Sequence, residues 1–286
     1  MKTIIISIFT LAYFHICHAE NTSITETIAY KGKITDSAIF LRLSETNGSI
    51  SGGYHYEKYG TAIPLRGSIA KNRVTLQEKT DLSDAKIIAE LNNQLIHGVW
   101  RSKKSTHAFR AKALSQSYKK LISSIDTSSH NHGKQITITF KDKRTQTFEI
   151  EILTETITII FEDQNFDGLP DMRVLENDST ANTTYIAWNY NPTKEIFEPA
   201  KDISTLPNPK ILHSERAILS LSRDGCCHYI ASKAVQRETH SAEFDYAEHI
   251  GTEHITNTKT KETQKKSIDK EYFEKKYLTP MGAEGL

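Results

Sequence analysis

The sequence predicts an all-β protein: an N-terminal antiparallel β-meander, forming a curved sheet or a small barrel, followed by a second β-rich region. Two observations carry that class. Apolar and polar residues alternate in short runs along most of the chain, and turn residues such as Asn47-Gly48, Gly60, Asn92-Asn93 and Asp224-Gly225 separate the runs. A third observation sets the second region apart. The stretch FEDQNFDGLPDMR at Phe161–Arg173 places oxygen-bearing side chains on alternate positions.

The first element is a leader over residues 1–19. Lys2 gives a charged start, Ile4–Phe14 an apolar run, and Cys17-His18-Ala19 a small-residue cleavage site before Glu20. The run is about half the length that a membrane-spanning helix needs. Bulky Ile16 stands where a lipoprotein signal requires a small residue before Cys17. The expectation is a cleaved signal peptide, a periplasmic or secreted chain, and no membrane span. With Lys2 removed, the 36 basic residues become 35, equal to the 35 acidic ones. That balance argues against nucleic acid as a partner, because no cationic excess is available to displace counterions.

Residues 20–127 form the meander. Eight short alternating segments read as strands: Glu26–Ile34, Ser37–Leu43, Ser49–Glu57, Thr61–Ile69, Arg73–Lys79, Ala85–Leu91, Gln94–Ser102 and Thr106–Lys112. Pro64 inside the fourth marks an edge or a bulge. Trp100 reads as a core or barrel-end plug. Ser115–Ile125 then places Tyr118, Leu121, Ile122 and Ile125 at helical spacing, and Asp126–Gly133 reads as a polar linker.

Residues 128–258 form the second region. Ile136–Phe140, Thr147–Ile152 and Thr156–Phe161 alternate strongly and lead into the aspartate-rich loop. Asp171–Leu175, Thr183–Tyr190 and Glu195–Glu198 follow, then a Pro-punctuated surface loop at Pro199–Pro209. Arg216–Ser222 and Cys226–Val235 read as a pair joined at Asp224-Gly225, and Glu243–Thr258 as a strand or hairpin. Residues 259–286 read as a charged tail, either a short helix on Ile268, Tyr272, Phe273 and Tyr277 or disordered. Adjacent Cys226 and Cys227 exclude an ordinary disulfide between them; a strained vicinal bridge or two thiols remain.

In the loop, Asp163, Asn165, Asp167 and Asp171 hold positions one, three, five and nine of an EF-hand-type spacing, and Gly168 holds the sharp turn at position six. The backbone carbonyl of Leu169 is a natural further ligand. Oxygen donors of this kind suit calcium. Position twelve is Val174, so the bidentate Glu of an EF-hand is missing, and the preceding segment is a strand. The expected site is therefore a strand-flanked calcium loop of Asp163, Asn165, Asp167, Leu169 and Asp171, with calcium in a structural role.

No catalytic set competes with it. Glu149 and Glu151 lie on the face of their strand opposite Phe148, Ile150 and Ile152, which is the solvent face. His130-x-His132 falls in the polar linker without a Cys or third His nearby. His97 and His228 read as strand residues, and Cys227-His228 stand too close in sequence for a nucleophile and its base. Nucleophile-elbow, zincin and phosphate-loop motifs are missing from the sequence. The expectation is a protein that is not an enzyme.

The run Asp163–Val174, continuing through Tyr185-Ile186-Ala187-Trp188-Asn189-Tyr190-Asn191-Pro192, Phe197 and Leu206-Pro207-Asn208-Pro209, resembles the FG-GAP-like, calcium-loop exported proteins. Those include the periplasmic immunity proteins of Xanthomonas-type antibacterial secretion systems. The likeness covers roughly Ile157–Tyr229. It implies a propeller-like domain and, as partner, a lysozyme-like or other peptidoglycan hydrolase that the chain binds, with or without inhibiting it. The alternative is an envelope carbohydrate-binding or carbohydrate-processing protein, its ligand cradled by the meander near Tyr54, Tyr56 and Trp100.

Overall fold

Eight antiparallel strands close into a barrel in the computed structural model, which describes residues 21–80, 84–130, 133–179, 181–235 and 237–279. The expected signal peptide lies outside the described residues. The barrel strands are β1 (Thr22–Ile34), β2 (Ser37–Thr46), β3 (Ser49–Tyr56), β4 (Ile63–Ala70), β5 (Arg73–Glu78), β6 (Lys86–Asn92), β7 (Leu95–Arg101) and β8 (Thr106–Ala113). Each pairs with the next, and β1 pairs with β8 from Tyr30↔Ala113 to Ile34↔Phe109. Alternation decides which residues enter the lumen: Ile39, Leu41 and Leu43 on β2, Val74 and Leu76 on β5, and Ile87 and Ala89 on β6 are all buried there. Closure at small radius needs close strand approach. Gly32 faces Ala111 and Gly98 faces Ala89 in register. A Cβ on Gly32 would stand 2.6 Å from the Ala111 Cα, and one on Gly98 2.5 Å from the Ala89 Cα.

Strand β1 is longer than the barrel needs, and the surplus organises the rest. Its first five residues, Thr22–Glu26, pair in parallel with Ile157–Phe161 of β12 (Ile157–Glu162), while Thr25 and Glu26 also keep their pairing with Thr46 and Glu45 of β2. One face of β1 therefore serves two cores: Ile24 packs with the second core, and Ile28, Tyr30 and Ile34 with the barrel.

Beyond β12 follow β13 (Asp171–Asn177), β14 (Thr184–Asn191) and β15 (Ile196–Pro199). A separate sheet of β9 (Ile122–His130), β10 (Gly133–Phe140) and β11 (Thr145–Ile150) covers them. Ile136, Ile138 and Phe148 from the cover meet Ile159, Phe161, Met172 and Trp188, with the Phe148 and Trp188 rings edge to face at 5.0 Å. The all-β class holds, but these strands form a two-layer sandwich, not the propeller-like arrangement that the resemblance implies.

Two local expectations are corrected in this region. Ser115–Ile125 is not a helix: one 3-10 turn at Tyr118–Lys120 precedes β9, and the expected linker at 126–133 lies largely within β9 and β10. The cause is a β-bulge. Phe140 pairs with Ile122 while Thr139 pairs with Ser124, so Ser123 is the extra residue. Ile122 and Ile125 thus reach one face three residues apart, a spacing that mimics a helix. His132 of the histidine pair lies outside the described residues.

A third sheet, antiparallel throughout, runs β16 (Lys210–Leu212), β17 (Ala217–Asp224), β18 (His228–Val235), β19 (Glu238–Asp245), β20 (Ile250–Asn257) and β21 (Thr263–Ile268). The Pro-punctuated loop carries a single helical turn, α1 (Lys201–Ser204). As far as Thr279 the charged tail is ordered structure: β21 completes the sheet, and α2 (Lys270–Phe273), running into a π turn at Glu274–Leu278, buries Phe273 and Tyr277 against it. Cys226 and Cys227 sit in the β17–β18 turn, not on the expected strand, as free thiols.

Candidate metal centre

The aspartate-rich loop connects β12 to β13, where the chain reverses between adjacent strands. Its two ends are fixed by carboxylates. Asp163 accepts from the backbone N–H of Asp167 at 3.0 Å through Oδ1 and of Gly168 at 2.9 Å through Oδ2. Asp171, fully buried, accepts from Gln164 N at 2.9 Å and Asn165 N at 3.2 Å on Oδ2, and from Tyr190 N at 2.8 Å on Oδ1. Phe166 and Gly168 take φ of +64° and +87°, which tightens the turn. At the sixth position, glycine takes this left-handed conformation without steric cost.

The middle candidate residues, Asn165 and Asp167, are exposed. Asp167 Oδ1 accepts from Leu169 N at 2.8 Å, and its Oδ2 accepts from Asn165 Nδ2 at 3.0 Å. The Leu169 side chain packs on the sandwich core. The structure thus gathers all five expected residues into one short turn, with their polar groups bonded within the loop or, for Asp171, also to β14. Among the described residues, no three His, Cys, Asp or Glu side chains converge as a metal-holding group.

Burial and like charge both act on the aspartates of the loop. Burial pushes the Asp171 carboxyl up to about 7; the N–H groups of Tyr190 and Gln164 oppose this, and nearby Asp167 and Asp163 add to it. Burial also raises Asp163, with Asp167 adding like-charge repulsion. An oxygen-only donor set is the kind a hard cation such as calcium takes, and here the two buried carboxylates are relieved only in part by backbone N–H groups. Asp163, Asn165, Asp167, Asp171 and the Leu169 carbonyl are the groups that would hold it. A bound cation would neutralise the repulsion and keep Asp171 ionised.

Next to the loop stands a residue that sequence reasoning missed. Glu162 is buried on the face of β12 opposite the sandwich core. Its Oε1 accepts from Arg42 Nη2 of β2 at 2.9 Å, its Oε2 from Arg173 Nη2 of β13 at 2.7 Å, and His213 Nε2, after β16, lies 3.3 Å from Oε1. One carboxylate therefore ties barrel, sandwich and third sheet. Burial pushes its carboxyl up, but Arg42, Arg173 and His213 more than reverse that and hold it well below the usual carboxylate range. The available signal was a charged residue ending an apolar strand run. Arg216 braces the loop from the third sheet, donating to the Phe166 carbonyl at 2.9 Å and lying over its ring.

The aromatic set of the meander packs at one barrel end, where Trp100 was expected as a plug. Tyr54 is buried, and its hydroxyl and Trp100 Nε1 both donate to Glu78 Oε1, at 2.6 and 2.7 Å. With Tyr56 edge-on to Tyr54 at 5.7 Å, these rings plug one end of the barrel. Glu149 is exposed on β11 and Glu151 is exposed just beyond its end, as the alternation indicates. No protein-family model matches the chain, and no curated protein matches it in sequence.

Proposed function

We propose that this chain is an exported, non-enzymatic calcium-binding protein in which calcium at Asp163–Asp171 is a structural clip and the surrounding β surface engages a peptidoglycan hydrolase. The observation that carries the calcium half is the pair of carboxylates, Asp163 and Asp171, buried in one turn and each raised by burial first and by the nearby Asp167 charge as well. A cation there stabilises the native state in proportion to the logarithm of its concentration above the dissociation constant. Export rests on the leader pattern at Lys2, Ile4–Phe14 and Cys17-His18-Ala19, and leads to a compartment where calcium is plentiful. The hydrolase half rests on the resemblance of Asp163–Pro209, whose residues build the loop, β13, β14 and β15.

Thermal unfolding of the full mature chain in calcium and in EGTA tests the first half. The melting temperature is expected to rise with calcium, and identical curves would overturn the site. Incubation with lysozyme-like hydrolases, followed by co-elution and a wall-lysis assay, tests the second. Co-elution supports it whether or not lysis slows; absence of both overturns it.

A further inference from the structure

The barrel is plugged at one end only. At the opposite end, bounded by the β2–β3, β4–β5 and β6–β7 turns, the inward positions carry aliphatic side chains where the plugged end carries aromatics. Ile28, Leu43, Ile50, Val74, Leu91 and Ile96 line a cavity of about 260 Å³. Side chains of this size do not fill an eight-stranded lumen that Trp100 and the tyrosines fill at the far end.

Two features make this a site and not a packing defect. Tyr30 lines the cavity and is 5% exposed, and its side chain has no hydrogen-bond partner among the described residues. Its hydroxyl is not one of the buried polar atoms left unpaired, so it is accessible from the cavity, where a ligand group can bond to it. The rim is charge-balanced: Glu26, Glu45, Lys71 and Lys119 stand at the mouth, and Lys119 Nζ is 2.6 Å from Glu45 and 3.9 Å from Glu26. Glu26 also accepts from Tyr118 N at 2.9 Å, and Glu45 from Gly48 N at 2.7 Å. The four rim charges sum to zero, so a charged ligand head meets no net counter-charge, whereas a neutral hydroxyl can bond to Tyr30 while its hydrocarbon body takes the aliphatic walls.

We propose that this end of the barrel binds a small neutral amphiphile, a hydrocarbon body with one uncharged hydroxyl or carbonyl head. A cavity of about 150 Å³ accommodates benzene, so this volume suits a ligand of about ten heavy atoms. None of the five loop residues lines the cavity, but Gln116, between the lining residues Ser115 and Ser117, donates its N–H to the Gly168 carbonyl at 2.9 Å, so the two sites are neighbours and the test is run without calcium.

Titration calorimetry with n-octanol, octanoate and octylamine, performed in EGTA, tests this on the full mature chain. Octanol is expected to bind at one equivalent and to raise the melting temperature, with octanoate and octylamine at least tenfold weaker. Tyr30→Phe, which keeps the ring, is expected to weaken octanol about fivefold by removing one hydrogen bond. Leu91→Trp, at the half-buried mouth, is expected to abolish binding while circular dichroism shows an unchanged barrel. Failure of all three ligands to bind the folded wild type overturns the site. Undiminished octanol binding by Leu91→Trp overturns the location, and tighter binding of either charged ligand overturns the neutral-head assignment.

Discussion

Arg42 of the barrel and Glu162 of the sandwich are 120 residues apart in sequence and meet at 2.9 Å, Nη2 to Oε1. Glu162 also accepts from Arg173, whose Nε and Nη1 have no other partner among the described residues and whose guanidinium lies over the Tyr185 ring. Removing Glu162 therefore leaves a buried guanidinium with no carboxylate. Glu162→Gln is expected to lose about 3 kcal/mol or more, the range for breaking one partner of a buried ion pair. Arg42, 19% exposed at its side chain, can be solvated when unpaired, so Arg42→Met is expected to lose roughly 1 kcal/mol. Urea unfolding of the two variants and the double mutant checks the order; equal losses would show that the pair does not join the layers as described.

The two kinds of aspartate in the loop should separate. Asp171 satisfies three backbone N–H groups, so Asp171→Ala is expected to lose about 2–3 kcal/mol even in EGTA, because those donors are left unpaired. Exposed Asp167 bonds within the turn, and Asp167→Ala is expected to cost less than about 1 kcal/mol in EGTA while erasing the calcium-dependent shift. Melting curves of both variants with and without calcium make the comparison. A retained calcium shift in Asp167→Ala would remove that residue from the ligand set.

Much of the barrel was legible in the sequence because its information is local: alternation in eight segments, with a turn after each. Closure was not, since pairing of Tyr30–Ile34 with Phe109–Ala113 depends on two segments nearly eighty residues apart. The parallel pairing of Thr22–Glu26 with β12 left no local trace either. The bulge at Ser123 converted a strand period into an apparent helical one. In the tail, Ile268, Phe273 and Tyr277 were visible as apolar positions, but Lys265 and Lys266 gave Thr263–Ile268 its charged look and concealed an edge strand. At the candidate site the Asp/Asn spacing was visible because the candidate residues lie within nine positions of one another. The partners of Glu162 come from three separate parts of the fold and carry no spacing that could be read.

The two kinds of glycine in the chain give a contrast in close approach against backbone sign. A Cβ on Gly98 would stand 2.1 Å from the Ile88 carbonyl oxygen, so Gly98→Ala must push β6 and β7 apart. A loss of about 3 kcal/mol is expected, at the upper end of overpacking costs. Gly225, at φ +77° in the β17–β18 turn, has nothing within 4 Å of a Cβ, and Gly225→Ala is expected to lose only about 1 kcal/mol of backbone strain. Denaturant midpoints of the two variants distinguish them, and a smaller loss for Gly98→Ala would mean that the barrel can relax at that pair.

Acid should loosen the third sheet through Glu253. Its buried carboxylate accepts from Lys276 Nζ at 2.6 Å and Tyr272 Oη at 2.8 Å, and from the Tyr277 hydroxyl, so it holds the C-terminal α2 segment onto β20. Burial pushes its pKa up, but Lys276, Tyr277 and Tyr272 together bring it down to about 2. Because the folded value lies below the unfolded one, the ionised carboxylate contributes stability at neutral pH. That contribution begins to fade as pH falls through the ordinary carboxylate range near 4.5 and is gone once pH drops through about 2. Glu253→Gln is therefore expected to be less stable than wild type at pH 7, with the gap shrinking steadily between about pH 4.5 and pH 2. Melting temperatures of both proteins across that range, with amide exchange at Phe273 and Tyr277 reporting release of the tail, measure it. A gap that stays constant with pH would show that the tail is held by the apolar burial of Phe273 and Tyr277 and not by the charge on Glu253.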